Sequence, residues 1–218
     1  LHVHSTFSFL DGLGMPEEYA KKAKELGQIA LGITDHGNIS AHLKWYKVCN
    51  KIGIKPILGC ELYIQSEEND YKNYEHMTCL ALNNEGYKNL LNIVTEGWRR
   101  GLKHPLVPIE YIIDHQKGLL LTSGCPSGYV IKSLLKGDED EAIKYIKYLN
   151  DNIDNFYIEV SPWNFISRDL KDFRKMVPKM KELSDKLDIP LLATSDCHYV
   201  TKEQNIVQEI LLCIQRGD

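Results

Sequence analysis

Four metal-type side chains stand at the two extremities of this chain, His2 and His4 at the start and Asp196 and His198 near the end. Within each pair the residues are two apart, so on an extended strand both side chains leave the same face. A fold that uses all four together has to bring its first and last strands side by side. The pattern therefore predicts a closed α/β fold built around a metal centre.

The intervening sequence has the alternation that such a fold needs. Strand-like segments are 2–4, 29–34, 56–64, 77–82, 118–122, 156–160 and 190–194. Helical patterns fill the gaps over 16–26, 39–51, 85–97, 139–150, 170–187 and 202–214. Pro16 suits a first helical turn, and Gly27 and Gly53 fall where helices should end. This alternation of seven strand-like segments with six helical patterns predicts a parallel sheet covered by helices, close to the strand count of a barrel. The stretch from Gly97 to Pro108 reads as the most loop-like part of the interior. With 218 residues, the chain is expected to form a single domain spanning 1–218. It begins in a strand-like segment without Met, and it stops just after an apolar helical stretch. Both ends thus read as cuts in a longer polypeptide.

Net charge of -4 argues against a broadly basic nucleic-acid coat. Local DNA contact stays open, because bound cations would offset carboxylates around a site. No apolar run approaches membrane-spanning length, and the opening residues do not read as a signal peptide. The six cysteines show no CxxC pairs, which predicts reduced thiols in a cytoplasmic protein rather than a disulfide framework.

In barrels of this kind, chemistry collects where the strands end. Here Asp11 follows the first strand, and Asp35-His36-Gly37-Asn38 follows the second. Glu61 ends the third, Cys125 lies beyond the fifth, and Asp196 and His198 lie beyond the seventh. Imidazole, carboxylate and thiolate are the ligands used for zinc, manganese and iron. His76 is the exception, since it precedes the apolar run 77–82 instead of following it. Each piece has a plain structural explanation. The Asp35–Asn38 segment could be a turn and helix cap, and Cys125 a core thiol. Glu159 could support a ligand or pair structurally with a lysine, and the structural role is the expectation. His42, His104 and His115 read as solvated. Glu61 is harder to dismiss, because a buried carboxylate needs a partner. The recurrence of one ligand chemistry at successive strand ends carries more weight than any single residue.

Several phrases extend this pattern: His2-Val3-His4-Ser5 with Leu10-Asp11-Gly12, Ile33-Thr34-Asp35-His36-Gly37-Asn38, Lys55-Pro56-Ile57-Leu58-Gly59-Cys60-Glu61, Asn84-Glu85-Gly86-Tyr87, Ser123-Gly124-Cys125 and Thr194-Ser195-Asp196-Cys197-His198-Tyr199. In them the chain resembles the PHP (polymerase and histidinol phosphatase) family, and within it the amino-terminal domains of bacterial replicative DNA polymerase III alpha subunits. The resemblance implies a distorted seven-stranded (β/α) barrel of the PHP type holding two to three divalent metals (zinc, manganese or iron). The implied ligands are His2, His4, Asp11, His36, Glu61, His76, Cys125, Asp196 and His198. One metal would take His2, His4, Glu61 and Asp196. A second would share Glu61 and add His76 and Cys125, and a third would take Asp11, His36 and His198. The chain departs from the subgroup around Trp98-Arg99-Arg100-Gly101-Leu102-Lys103 and at Val160-Ser161-Pro162-Trp163.

The functional expectation is a metal-dependent phosphoesterase, a 3'–5' proofreading exonuclease acting on the primer 3' end of DNA within a polymerase chain. Asp11, His36, Glu61 and Asp196 would be its catalytic residues, with Arg99, Arg100 and Lys103 contacting backbone phosphates. The expected partners are DNA, the remainder of the alpha subunit and a proofreading subunit. One alternative is a metal-stabilised scaffold that docks the polymerase or that subunit. Another is a free phosphomonoesterase like histidinol phosphatase.

Overall fold

The structure, a computed structural model, describes residues 1–65, 73–100, 103–161 and 173–217. They group into two compact units, the first made of Leu1–Glu61 with Asp196–Asp218 and the second of Leu62–Ser195.

The first unit opens with an extended segment. It continues through α1 (Pro16–Glu25), β1 (Ala30–Ile33), α2 (His42–Ile52) and the start of β2 (Lys55–Gln65). Helix α1 buries Pro16, Tyr19, Ala20 and Ala23, the i, i+3, i+4, i+7 stripe of an amphipathic helix. The Glu18 carboxylate accepts from the Met15 amide at 2.7 Å and closes the first turn. Helix α2 buries His42, Trp45 and Cys49, and ends at Gly53 in the left-handed conformation, φ 76°. Trp45 Nε1–H donates to the Leu31 carbonyl, so this large ring is fixed as well as buried among Val3, Tyr19, Ile33 and Ile54. Strands β1 and β2 pair in parallel from Ala30↔Lys55 to Ile33↔Leu58.

The second unit takes the end of β2 and adds β3 (Tyr74–Ala81), α3 (Asn84–Arg100), β4 (Leu106–Val107), α4 (Ile109–Asp114), β5 (Leu119–Thr122), α5 (Tyr129–Leu135), α6 (Glu139–Asn152), β6 (Phe156–Val160), α7 (Phe173–Leu187) and β7 (Leu191–Ala193). β4 pairs in parallel with the end of β2, β5 with β6, and β6 with β7. β3 runs antiparallel to β5, with Cys79 opposite Leu121. The chain then returns to the first unit through a short 3-10 turn, Lys202–Gln204, and α8 (Asn205–Arg216).

The mixed α/β class and, among the described residues, the count of seven strands agree with expectation, but the identity of the strands differs. Residues 2–4 form a single parallel bridge, Val3↔Cys197, rather than a named strand. The segment is nevertheless bonded on both sides. His4 N donates to the Cys197 carbonyl at 2.8 Å and Cys197 N to the His2 carbonyl at 3.1 Å, while Thr34 N donates to the Val3 carbonyl. The seventh strand is β4, in the stretch read as loop. Helix α3 also runs on to Arg100. Two short helices, α4 and α5, escaped the periodicity because six or seven residues hold too few turns to show it. The phrase at 162–163, the start of the helix expected from 170, and residues 101–102 lie outside the described residues. Among the described residues, no helix is long and apolar enough to cross a membrane.

Candidate metal centre

Seven of the nine expected ligands belong to the first unit. His2 and His4 stand two apart on the extended opening segment and are fully buried. Asp11 lies in a tight turn in which its own N and Gly12 N donate to the Ser8 carbonyl, at 3.0 Å and 2.9 Å. His36 and Glu61 face each other across a parallel bridge that prolongs β1 and β2. Gly37 N donates to the Glu61 carbonyl and Glu61 N to the Asp35 carbonyl. Asp196 sits in the left-handed region at φ 44°, and His198 follows it. That conformation costs energy in most residues and is better tolerated by aspartate.

The ring nitrogens and carboxylate oxygens converge. His2 Nε2 lies 3.0 Å from His4 Nε2, 3.2 Å from Glu61 Oε1 and 3.4 Å from Asp196 Oδ1. His4 Nε2 lies 3.2 Å from Asp196 Oδ1 and 3.8 Å from Glu61 Oε2. A tetrahedral ion with bonds of about 2.0 Å separates its donors by about 3.3 Å, which most of these spacings approach. Asp196 Oδ1 is buried and makes no hydrogen bond of good geometry, although imidazoles surround it. A buried carboxylate oxygen among imidazole nitrogens fits a cation site, since buried charges are paired or coordinate metals. The donor set, nitrogen and oxygen together, fits zinc, manganese or iron.

A second convergence adjoins it. Asp11 Oδ2 lies 2.7 Å from His36 Nε2 and 3.2 Å from His198 Nε2, while His36 Nδ1 meets Glu61 Oε2 at 2.5 Å. His4 stacks on His198 with ring centroids 4.4 Å apart. Both His4, His36, His198 and His2, His4, Asp196 have ligand atoms close enough to share an ion.

Electrostatics separate these groups. Burial, with the neighbouring His36 and His198 charges, pushes the His4 imidazole down to about 3, so it is neutral at physiological pH. Burial opposes charge on His36 too. There the Glu61 charge and the Asp11 hydrogen bond prevail and raise it to about 10. Burial would raise Asp11, but hydrogen bonds from His198 and His36 hold its carboxyl well below the usual range. Asp196 is also lowered, because the charges of His2 and His198 outweigh its burial.

His76 and Cys125 belong to the second unit and lie together, with Cys125 Sγ 3.7 Å from His76 Nδ1. The antiparallel course of β3 accounts for the misplaced histidine. The beginning of β3 lies where its antiparallel neighbour β5 ends, and the register of Cys79 with Leu121 extends to His76 opposite Gly124. Gly124 has φ +88°, and a Cβ there would stand 2.0 Å from the His76 carbonyl oxygen.

The remaining candidates divide. Arg99 and Arg100 are exposed in the last turn of α3, not in a loop, and both pair with Glu96, at 2.8 Å and 3.3 Å. Lys103 is exposed beyond the helix. Glu159 is structural, accepting from the hydroxyls of Thr122 at 2.5 Å and Thr194 at 2.6 Å. Three histidines read as solvated are not. His42 is buried, and its Nε2–H donates to the Gly59 carbonyl at 2.8 Å. His104 packs against Tyr63 and Tyr74, and His115 stacks on Tyr111. Sequence reading passed over Ser8 and took Asp35 as a turn or cap residue, whereas both stand behind His4. A serine inside a short turn gives no signal of that role.

The chain is similar in sequence and in fold to known proteins. A family model described as PHP domain matches residues 1–162. DNA polymerase III subunit alpha of Treponema pallidum is 38% identical over 224 residues, covering 98% of this chain and 19% of that protein. The subunit alpha of Mycobacterium tuberculosis (strain H37Rv) is 32% identical over 240 residues, covering 100% of this chain and 20% of its own length. The chain thus spans about a fifth of the length of these curated relatives. Among solved structures, a protein of Bifidobacterium adolescentis assigned as a metal-dependent phosphoesterase superposes with a TM-score of 0.56 at 15% identity, over 90% of this chain and 86% of that one. An amidohydrolase from Chromobacterium violaceum gives 0.55 at 15% identity, over 91% and 86%. At that identity the likeness is one of fold.

Proposed function

Because the chain belongs to the PHP domain family, we propose that it is a metal-dependent phosphoesterase domain acting on the 3' end of DNA within a longer, cytoplasmic replicative polymerase. One observation carries the reading: His2, His4, Glu61 and Asp196 converge at the donor spacing of a tetrahedral ion, around a buried Asp196 oxygen. The relatives' printed names, DNA polymerase III subunit alpha, supply the substrate class.

Under this reading, His2, His4, Glu61 and Asp196 hold one divalent ion, and Asp11, His36 and His198 a second. The family resemblance also implies His76 and Cys125, which lie together in the second unit, as ligands. Divalent ions in such sites polarise phosphoryl oxygens and activate water. The chain's own part is to orient. Neutral His4 keeps a lone pair available, and the depressed Asp11 and Asp196 carboxylates stay ionised far into acid. Glu61, beside both His2 and His36, would be a ligand shared between ions under the family resemblance. Arg99, Arg100 and Lys103 contact backbone phosphate, with the shared Glu96 reducing their net charge.

The test is elemental analysis of untagged protein, followed by digestion of single-stranded DNA with added manganese or zinc. Two to three metals per chain and 3'–5' degradation are expected. Asp11→Ala should lower cleavage by more than about 100-fold, beyond the loss usual for groups that merely support a ligand, while the protein stays folded. Undiminished cleavage by that variant overturns the assignment. Bound metal with no cleavage of any phosphoester transfers support to the scaffold reading. Turnover of small phosphomonoesters but not DNA ends points to a free phosphatase.

A further inference from the structure

Behind His4 stands a hydrogen-bonded chain that the metal reading does not use. His4 Nδ1 lies 3.0 Å from Ser8 Oγ, and Ser8 Oγ lies 2.8 Å from Asp35 Oδ1. All three side chains are fully or nearly fully buried. Asp35 Oδ1 also accepts from the Ser5 amide at 2.7 Å. The Ser5 hydroxyl reaches Oδ2 at 2.9 Å, and the Phe7 amide donates to that hydroxyl. A peptide N–H can only donate, so Oδ1 is an acceptor there. Ser8 has one proton, and Oδ1 is placed to receive it. The Ser8 oxygen is then left to accept, and it already accepts from the His36 amide at 3.2 Å. The remaining partner, His4 Nδ1, must carry the proton that fills the last position on that oxygen.

We infer that Ser8, oriented by Asp35, is a positioning residue that locks His4 in the Nδ1–H tautomer, leaving the Nε2 lone pair bare toward His2, Glu61 and Asp196. In water, imidazole prefers the opposite tautomer, with the proton on Nε2, which would block that lone pair. The Asp35–Ser8 pair removes the blocked form before any ion arrives. The same hydroxyl ties down the His36 backbone, so one serine presets residues of both convergences. Asp35, read from sequence as a turn residue, thus has a second task. The inference rests on the reading of His4 as a metal ligand.

The experiment uses the 218-residue chain freed of metal by chelation, labelled with 15N histidine. Long-range 1H–15N correlation spectra at neutral pH should show His4 with a protonated Nδ1 and a bare Nε2. Zinc is then titrated against a chromophoric chelator. Ser8→Ala should mix the tautomers of His4 and weaken zinc binding by about 10- to 100-fold. Ser5→Ala, which also removes a hydroxyl bonded to Asp35, should leave the His4 tautomer as in the parent chain. A parent spectrum with the proton on Nε2 overturns the inference, and needs no variant to fold. So does a Ser8→Ala protein with unchanged tautomer and zinc affinity. If the parent chain binds neither zinc, manganese nor ferrous iron, the metal reading fails and takes this inference with it, an outcome distinct from metal bound by the wrong tautomer.

Discussion

His42 shows what one buried histidine does to the chain's response to acid. Burial pushes its imidazole down to about 4, and the bond to the Gly59 carbonyl only partly offsets this. In the unfolded chain it would titrate near 6.5. The folded state therefore binds fewer protons than the unfolded state between these values, so stability is full above 6.5 and falls as pH drops towards 4. Across that window the contribution amounts to about 3 kcal/mol. Urea unfolding of parent and His42→Gln at a series of pH values should show the parent losing the larger share of stability below pH 6.5. Parallel curves would mean that His42 is not held neutral. At the same scale, the pairing of His2 with His4 and of Asp196 with His198 was legible from residue type and two-residue spacing. The burial of His42 was not, because nothing local marks which face of α2 turns inward beside Trp45.

Elements decide how ligand chemistry is delivered. From sequence, His76 precedes its strand, so either β3 runs differently from its neighbours or His76 approaches from an unusual direction, and the structure decides for the first. Its antiparallel course brings the strand's start to the end of β5, beside Cys125. Gly124 makes the approach possible, since its φ of +88° and the 2.0 Å clearance to the His76 carbonyl leave no room for a side chain. Gly124→Ala should cost about 1–3 kcal/mol through overpacking, with added strain from the positive φ. It should appear as a lower urea midpoint at unchanged slope. A midpoint within error of the parent would show that the turn can relax, and that the His76–Cys125 geometry is not set by this glycine. Helices α1, α2, α3 and α6 were legible because ten or more residues of 3.6-residue periodicity leave a clear stripe. β4, with two residues, has no period to read.

For the whole molecule, metal and fold are one equilibrium under the proposed reading. An ion that binds only the folded chain stabilises it by about 2.7 kcal/mol at a hundredfold excess over its dissociation constant. For a chain of this size each kcal/mol moves the midpoint by roughly 2–4 °C, so chelation should lower it by about 5–10 °C, and added zinc or manganese should restore it. A midpoint indifferent to chelator, in protein shown to contain metal, would mean that the ion does not brace the fold.

The amino-acid sequence by itself determined the α/β class, most of the longer helices, and the identities of the His, Asp, Glu and Cys side chains at strand ends. Those signals are local: periodicity, caps and two-residue spacing act within a few residues of one another. Only the tertiary structure decided that the opening segment is bonded to Cys197 on one side and Thr34 on the other, that Asp196 Oδ1 is buried among imidazoles, and that Ser8 and Asp35 stand behind His4. Those arrangements join residues up to nearly two hundred positions apart. Their cause is long-range backbone hydrogen bonding and burial, for which no short stretch of sequence carries a signature.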